Sequence, residues 1–143
     1  MVEKEPPESA ARRCSESGAH RPRVLVIDDE SLLGQTLQLG LEENLDVELE
    51  VSGQKGLDRL LAGEGFQLVL CDLSLPDVTG AEIYRRAMEL RPELSQVFVV
   101  MTGGAVTAAS RAFLEAYQGP LLHKPFKLSE VEALALRLLG RAL

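Results

Sequence analysis

From Arg23 onward, short apolar runs alternate with longer segments in which apolar positions recur every three or four residues. Five runs have the length of strands: residues 23–28 (RVLVID), 46–51 (DVELEV), 66–72 (FQLVLCD), 96–102 (QVFVVMT) and 119–124 (GPLLHK). Three of them are almost uninterrupted, as expected of parallel strands covered on both faces. The run at 46–51 alternates instead, with Val47, Leu49 and Val51 on one side, which predicts an edge strand. The segments between the runs, about 10 to 15 residues each, carry helical spacing. In the last, Val131, Leu134, Ala135, Leu138 and Leu139 fall at i, i+3, i+4, i+7 and i+8, and Ser129 is placed to cap it. In the fourth, Phe113 shares a face with Ala109 and Ala116. Gly34 and Gly40 weaken the first, by up to about 1 kcal/mol each relative to alanine. Five strand–helix repeats predict an α/β fold. Right-handed crossovers then make it a doubly wound five-stranded parallel sheet.

The first 22 residues stand apart. They are rich in Pro, Ser, Glu and Arg and almost lack large apolar side chains. Such a segment cannot offset the entropy of ordering, so a flexible tail or linker is expected there, with one folded domain over residues 23–143. The tail holds four acids and four bases, so the whole net charge of −7 belongs to the remainder. That disfavours nonspecific nucleic-acid binding, which requires cations against phosphates. No apolar run approaches the roughly 20 residues that span a bilayer. The N-terminus has no apolar core of a secretory signal, so a cytoplasmic location without membrane attachment is expected. Of the two cysteines, Cys14 lies in the tail and Cys71 in an apolar run. Neither a disulfide framework nor a metal-ligand spacing results, and Cys71 reads as a small buried hydrophobe.

The candidate chemistry lies where the strands end. In open parallel sheets, ligands sit beyond the carboxyl ends of the strands, where the strand order reverses. Here the first strand runs into Asp28 and Asp29, the third into Asp72, the fourth into Thr102 and the fifth into Lys124. The second ends in Ser52 and Gly53, with nothing ionisable. In a 2-1-3-4-5 order the first and third strands are neighbours about 4.8 Å apart, so three carboxylates converge. Like charges so close raise one another's pKa, and a hard divalent cation relieves the conflict. Mg²⁺ suits this, with oxygen ligands from one or two carboxylates together with phosphate. An ammonium and a hydroxyl beside such a site point to a phosphoryl group. Adjacent acids at one strand end are usually just a solvated loop; the conjunction at four strand ends carries the reading.

Taken together, the motifs VLVIDDE, CDLSLPDVTG, VVMTG and HKPF resemble those of the response-regulator receiver domains of two-component signalling, chemotaxis-regulator-like in type. The likeness covers about residues 23–143 and implies a flavodoxin-like fold of order 2-1-3-4-5. It implies that Asp72 accepts a phosphoryl group from a phosphohistidine on a histidine kinase or phosphotransfer protein, giving an aspartyl phosphate. It further implies that Asp29 binds Mg²⁺ directly and Asp28 directly or through water. Asp72 and the backbone carbonyl of Ser74 complete the protein ligands. Lys124 would pair with one phosphoryl oxygen and Thr102 would swing to another, with Pro125 in a Lys-Pro joint that is often cis. Leu75, Pro76 and Gly80 shape the loop after Asp72; Gly80 permits close or left-handed backbone there.

Two departures from the family pattern stand out. Leu121 occupies the place, three residues before the lysine, where the family usually has Tyr or Phe, so the usual aromatic switch is altered. Gly103 and Gly104 follow the threonine, which predicts a looser loop and a more mobile output face. His20 and His123 lack any metal-ligand partner. The favoured function is a phosphorylation-controlled signalling domain. It would be a stand-alone receiver or the terminal receiver of a hybrid histidine kinase, signalling by protein contact on the face of helix 4, strand 5 and helix 5, where Leu121 and Leu136 contribute. The alternative is a pseudo-receiver, an interaction module that is never phosphorylated. A phosphatase of the haloacid dehalogenase kind is disfavoured, because that family places a second Asp two residues past the nucleophile and Ser74 stands here. No enzyme activity beyond the domain's own phosphotransfer and autodephosphorylation is expected.

Overall fold

A computed structural model describes residues 21–103 and 107–140, and these form the predicted alternation. The strands are β1 (Arg23–Ile27), β2 (Asp46–Glu50), β3 (Leu68–Asp72), β4 (Phe98–Thr102) and β5 (Leu121–His123). The helices are α1 (Ser31–Leu41), α2 (Gly53–Leu61), α3 (Gly80–Leu90), α4 (Ala108–Ala116) and α5 (Leu128–Leu139). All strands are parallel and lie in the order β2-β1-β3-β4-β5, so the predicted topology and the edge position of β2 both hold.

The uninterrupted apolar runs have a direct cause. Alternate residues of β1, β3 and β4 feed two separate cores, one on each face of the sheet. Leu25, Ile27, Val69, Cys71, Phe98 and Val100 pack on the side of α2 and α3. Val24, Val26, Leu68, Leu70, Val99 and Met101 pack on the side of α1 and α5. Cys71 is fully buried, as expected, and burial pushes its thiol pKa well above the ordinary value. The edge strand is two-sided in character. Val47 and Leu49 join the α1 side, whereas Glu48 and Glu50 are both paired with Arg59 of α2.

Several expectations need correction. Gly34 and Gly40 are contact points: a β-carbon on Gly34 would run into the Leu49 side chain, and one on Gly40 would come within 2.5 Å of Leu128. Helix α5 starts one residue before Ser129, which is exposed. The capping role falls to Glu130, whose carboxylate accepts the Lys127 N–H at 3.1 Å. Ala109 and Ala116 are exposed, and Phe113 instead packs against Tyr84 and Tyr117, at ring-centroid distances of 5.7 and 5.3 Å. β4 begins at Phe98 because residues Pro92–Gln96 form a 3-10 turn. Of the N-terminal tail, Arg21 and Pro22 are described and already touch the fold: the Pro22 carbonyl accepts the Asp46 N–H at 2.9 Å. Residues 1–20, including Cys14 and His20, lie outside the described residues, as do Gly104 and residues 141–143.

Candidate functional site

The parallel ladder sends every strand's carboxyl end to one rim. The backbone N–H of Asp28 continues the β1–β2 ladder onto the Glu50 carbonyl at 3.1 Å, and that of Lys124 continues β4–β5 onto the Thr102 carbonyl at 2.7 Å. These bonds fix where the side chains emerge. Asp28, Asp29 and Asp72 offer carboxylate oxygens within 4.8 Å of one another. Asp28 is fully buried, Asp72 and Thr102 are each 6% exposed, and Asp29 is exposed. The Lys124 ammonium lies 2.7 Å from Asp28 Oδ2 and 3.6 Å from Asp72 Oδ2. The Lys124–Pro125 peptide is cis. The rim thus brings Asp28, Asp29, Asp72 and Lys124 together, and Thr102 is buried at the adjacent end of β4.

Hydrogen bonds set the remaining oxygens. Asp28 Oδ1 accepts the Glu30 N–H at 2.9 Å, and Asp72 Oδ1 accepts the Ser74 N–H at 3.3 Å. The cleft above them, about 670 Å³, has Asp72, Ser74 and Lys124 on its polar side and Leu33, Pro125 and Phe126 as an apolar wall.

The electrostatics show an unresolved conflict. Burial, and then the neighbouring Asp28 charge, push the Asp72 pKa up, and Lys124 only partly opposes them. Burial by itself would lower the Lys124 pKa, but the hydrogen bond to Asp28 and the field of Asp72 outweigh it, and the net shift is upward. One firmly charged ammonium thus faces three acids that share oxygen-only chemistry. That donor set fits a hard divalent cation, for which carboxylate and carbonyl oxygens are the preferred ligands. Asp28, Asp29 and Asp72 are the residues that could hold it, and Ser74 lines the same cleft.

Two glycines pack against this rim. Gly80 does not take the left-handed conformation; it lets α3 start directly against the end of β3, where a β-carbon would collide with the Asp72 carbonyl and lie 2.7 Å from Leu73 Cα. Gly103, expected to loosen its loop, is pressed against the lysine: a β-carbon there would come within 2.8 Å of Lys124 Cβ.

Two further acids, one at the rim and one beyond it, were given no role in the sequence reading although both lie within its motifs. Glu30 reaches the Lys124 ammonium at 3.3 Å. Asp77, past the Asp72 loop, binds the start of α2 through Ser52, Gly53 and Gln54. So the Ser52-Gly53 end of β2 has an ionisable partner after all, supplied from another loop. Exposed carboxylates in loops are too common for sequence spacing to single these two out.

A sequence model of the response regulator receiver domain matches residues 24–135. The chain belongs to that family. It is 33% identical over 111 residues to the response regulator ArlR of Staphylococcus haemolyticus, covering 77% of this chain and 49% of that protein. This receiver domain thus spans about half the length of the curated relatives it matches. Its fold overlays on a CheY-like receiver domain protein from Methanospirillum hungatei JF-1 with a TM-score of 0.71 and 28% identity, covering 84% of this chain and 95% of that one. A BeF3-activated DrrB receiver domain gives a TM-score of 0.70 and 26% identity, with 85% and 99% covered. Among the described residues, no helix is long and apolar enough to cross a membrane.

Proposed function

We propose that this receiver domain takes a phosphoryl group onto Asp72 from a phosphohistidine of a histidine kinase or phosphotransfer protein, with Mg²⁺ at the acidic rim, in the cytoplasm. The observation that carries the reading is the convergence of three carboxylates and Lys124 on one rim. An Asp72 oxygen attacks phosphorus, the P–O bond forms as the P–N bond breaks, and the electron pair leaves on the imidazole nitrogen. Mg²⁺ held by Asp28, Asp29, Asp72 and the Ser74 carbonyl would neutralise charge on the phosphoryl oxygens. Lys124 stands close enough to Asp72 to exchange its acid partner for a phosphoryl oxygen, and Thr102, buried at the adjacent strand end, supplies a hydroxyl. No turnover of an external substrate is proposed, because Ser74 offers no general acid two residues beyond Asp72.

The output is proposed to pass through protein contact at the face of α4, β5 and α5. Leu136 is 43% exposed there, and Leu121 is half-buried beside a groove of about 850 Å³ that also includes Tyr117 and Arg137. With Leu121 in the strand, the aromatic rings of this region come from Tyr84, Phe113 and Tyr117 instead. The acid excess of the chain argues against direct nucleic-acid contact by this domain.

Intact mass spectrometry tests the reading after incubation with a small phosphodonor and Mg²⁺. A gain of one phosphoryl group is expected for the wild type and none for Asp72→Asn. No adduct, or an adduct that survives Asp72→Asn, would instead favour a pseudo-receiver that acts without phosphorylation.

A further inference from the structure

The loop that carries Ser74 is fastened at its far side by one residue. Asp77 Oδ1 accepts the Gly53 N–H at 3.1 Å, and Oδ2 accepts the Gln54 N–H and the Ser52 hydroxyl, each at 3.0 Å. These N–H groups open α2 and have no acceptor within their own helix. Ser52 itself accepts the Lys55 N–H at 3.2 Å, so the first turn is capped both by its own residue and by a loop from elsewhere in the chain. The N–H groups, led by that of Gln54, hold the Asp77 carboxyl well below the usual carboxylate range although it is exposed. Gly53 makes the approach possible, since a β-carbon there would lie 2.8 Å from the Val78 carbonyl and 2.9 Å from Asp77 Oδ1.

The rest of the loop has few restraints. Its ends are closed by the Gly80 N–H on the Leu73 carbonyl at 3.0 Å, and Leu75 is buried. Among the described residues, the hydrogen bonds that join residues 74–78 to a helix all end on Asp77. Between Ser74 and Asp77 lie only Leu75, held in the core, and Pro76, whose ring fixes φ near about −65°. That link is two residues long, so Asp77 and Ser74 are joined with little chain between them.

We propose that Asp77 is a positioning residue for the cation site: its grip on the start of α2 holds the Ser74 carbonyl at the acidic rim. The inference rests on the functional reading above, in which that carbonyl is a Mg²⁺ ligand. Asp77 touches neither the cation nor the phosphoryl group; it acts through the loop.

Isothermal titration of the full chain with MgCl₂ tests it. Asp77→Ala is expected to raise the Kd for Mg²⁺ roughly tenfold, the range found for residues that orient metal ligands. Asp77→Asn keeps the acceptor for Gly53 and should lose less; it carries the test alone if Asp77→Ala does not fold. Arg59→Ala serves as the comparison, because it loosens α2 from β2 without touching the loop, and its Kd is expected to stay within about twofold. The Mg²⁺ concentration for half-maximal phosphorylation should move with Kd, while the rate at saturating Mg²⁺ stays near that of the wild type. Unchanged Kd in the Asp77 variants, or an equal rise in Arg59→Ala, overturns the positioning role and leaves the phosphoacceptor reading intact. A wild type that does not bind Mg²⁺ overturns both.

Discussion

Lys124 places its ammonium 2.7 Å from the carboxylate of Asp28 and 3.6 Å from that of Asp72, so a single cation serves two buried acids at the ends of neighbouring strands. Asp28 is the more dependent of the two, being wholly removed from water. Replacing Lys124 by Ala leaves that charge buried without its partner. Removing one member of a buried pair typically destabilises by about 3 kcal/mol or more. Metal-free Lys124→Ala is expected to unfold at correspondingly lower urea concentration than the wild type, and added Mg²⁺ should restore part of the difference. Equal urea midpoints without Mg²⁺ would show that Asp28 does not rely on the lysine.

The strained acid is Asp72, and its strain has a sign in pH. Its folded pKa is raised, so between the ordinary carboxylate value and the shifted one the native state keeps a proton that the unfolded chain has released. Stability is therefore full below that window and falls as pH rises through it. Asp72→Asn removes the charge, so metal-free Asp72→Asn is expected to melt at a higher temperature than the wild type at neutral pH. The gap should close below the ordinary Asp range and reverse with saturating Mg²⁺. Thermal melts across pH, with and without Mg²⁺, check all three statements.

The two kinds of close glycine should respond differently. A β-carbon at Gly80 meets backbone atoms of Asp72 and Leu73, which cannot step aside. Gly80→Ala is expected to lose about 1–3 kcal/mol and to slow phosphorylation, because the strand end carrying Asp72 must shift. A β-carbon at Gly40 meets only the tip of the Leu128 side chain, which can repack. With the helix propensity gained, Gly40→Ala should change stability by less than about 1 kcal/mol. Chemical denaturation of the pair distinguishes backbone from side-chain contact.

How much of this was legible in the sequence depends on what kind of signal each feature leaves. The sheet and its rim were legible because the apolar runs are long and each ends in a distinct polar residue. Asp28, Asp72 and Lys124 needed only the register of a parallel ladder to meet, and the ladder supplied it. Ser129 misled because a serine before an apolar stripe looks like a cap, whereas Glu130 reaching back to Lys127 started the helix earlier. The propensity cost of Gly34 and Gly40 was readable because it is a local quantity, whereas the Leu49 and Leu128 side chains packed against them are tertiary neighbours and were not. Phe113 was assigned to the wrong neighbours because its aromatic partner Tyr84 lies on another helix. Glu30 and Asp77 stood within the quoted motifs without a role, since a loop carboxylate takes its meaning from what folds against it.

The most direct measurement is a crystal structure of the full chain grown with Mg²⁺ and beryllofluoride, a phosphoryl mimic. Beryllium is expected on one carboxylate oxygen of Asp72, with Mg²⁺ bound by Asp28, Asp29, the other Asp72 oxygen and the Ser74 carbonyl. Lys124 should have moved from Asp28 to a fluoride, and the Thr102 hydroxyl should point at another. Beryllofluoride on a different residue, or Lys124 still paired with Asp28 beside an unmodified Asp72, would contradict the phosphoacceptor role.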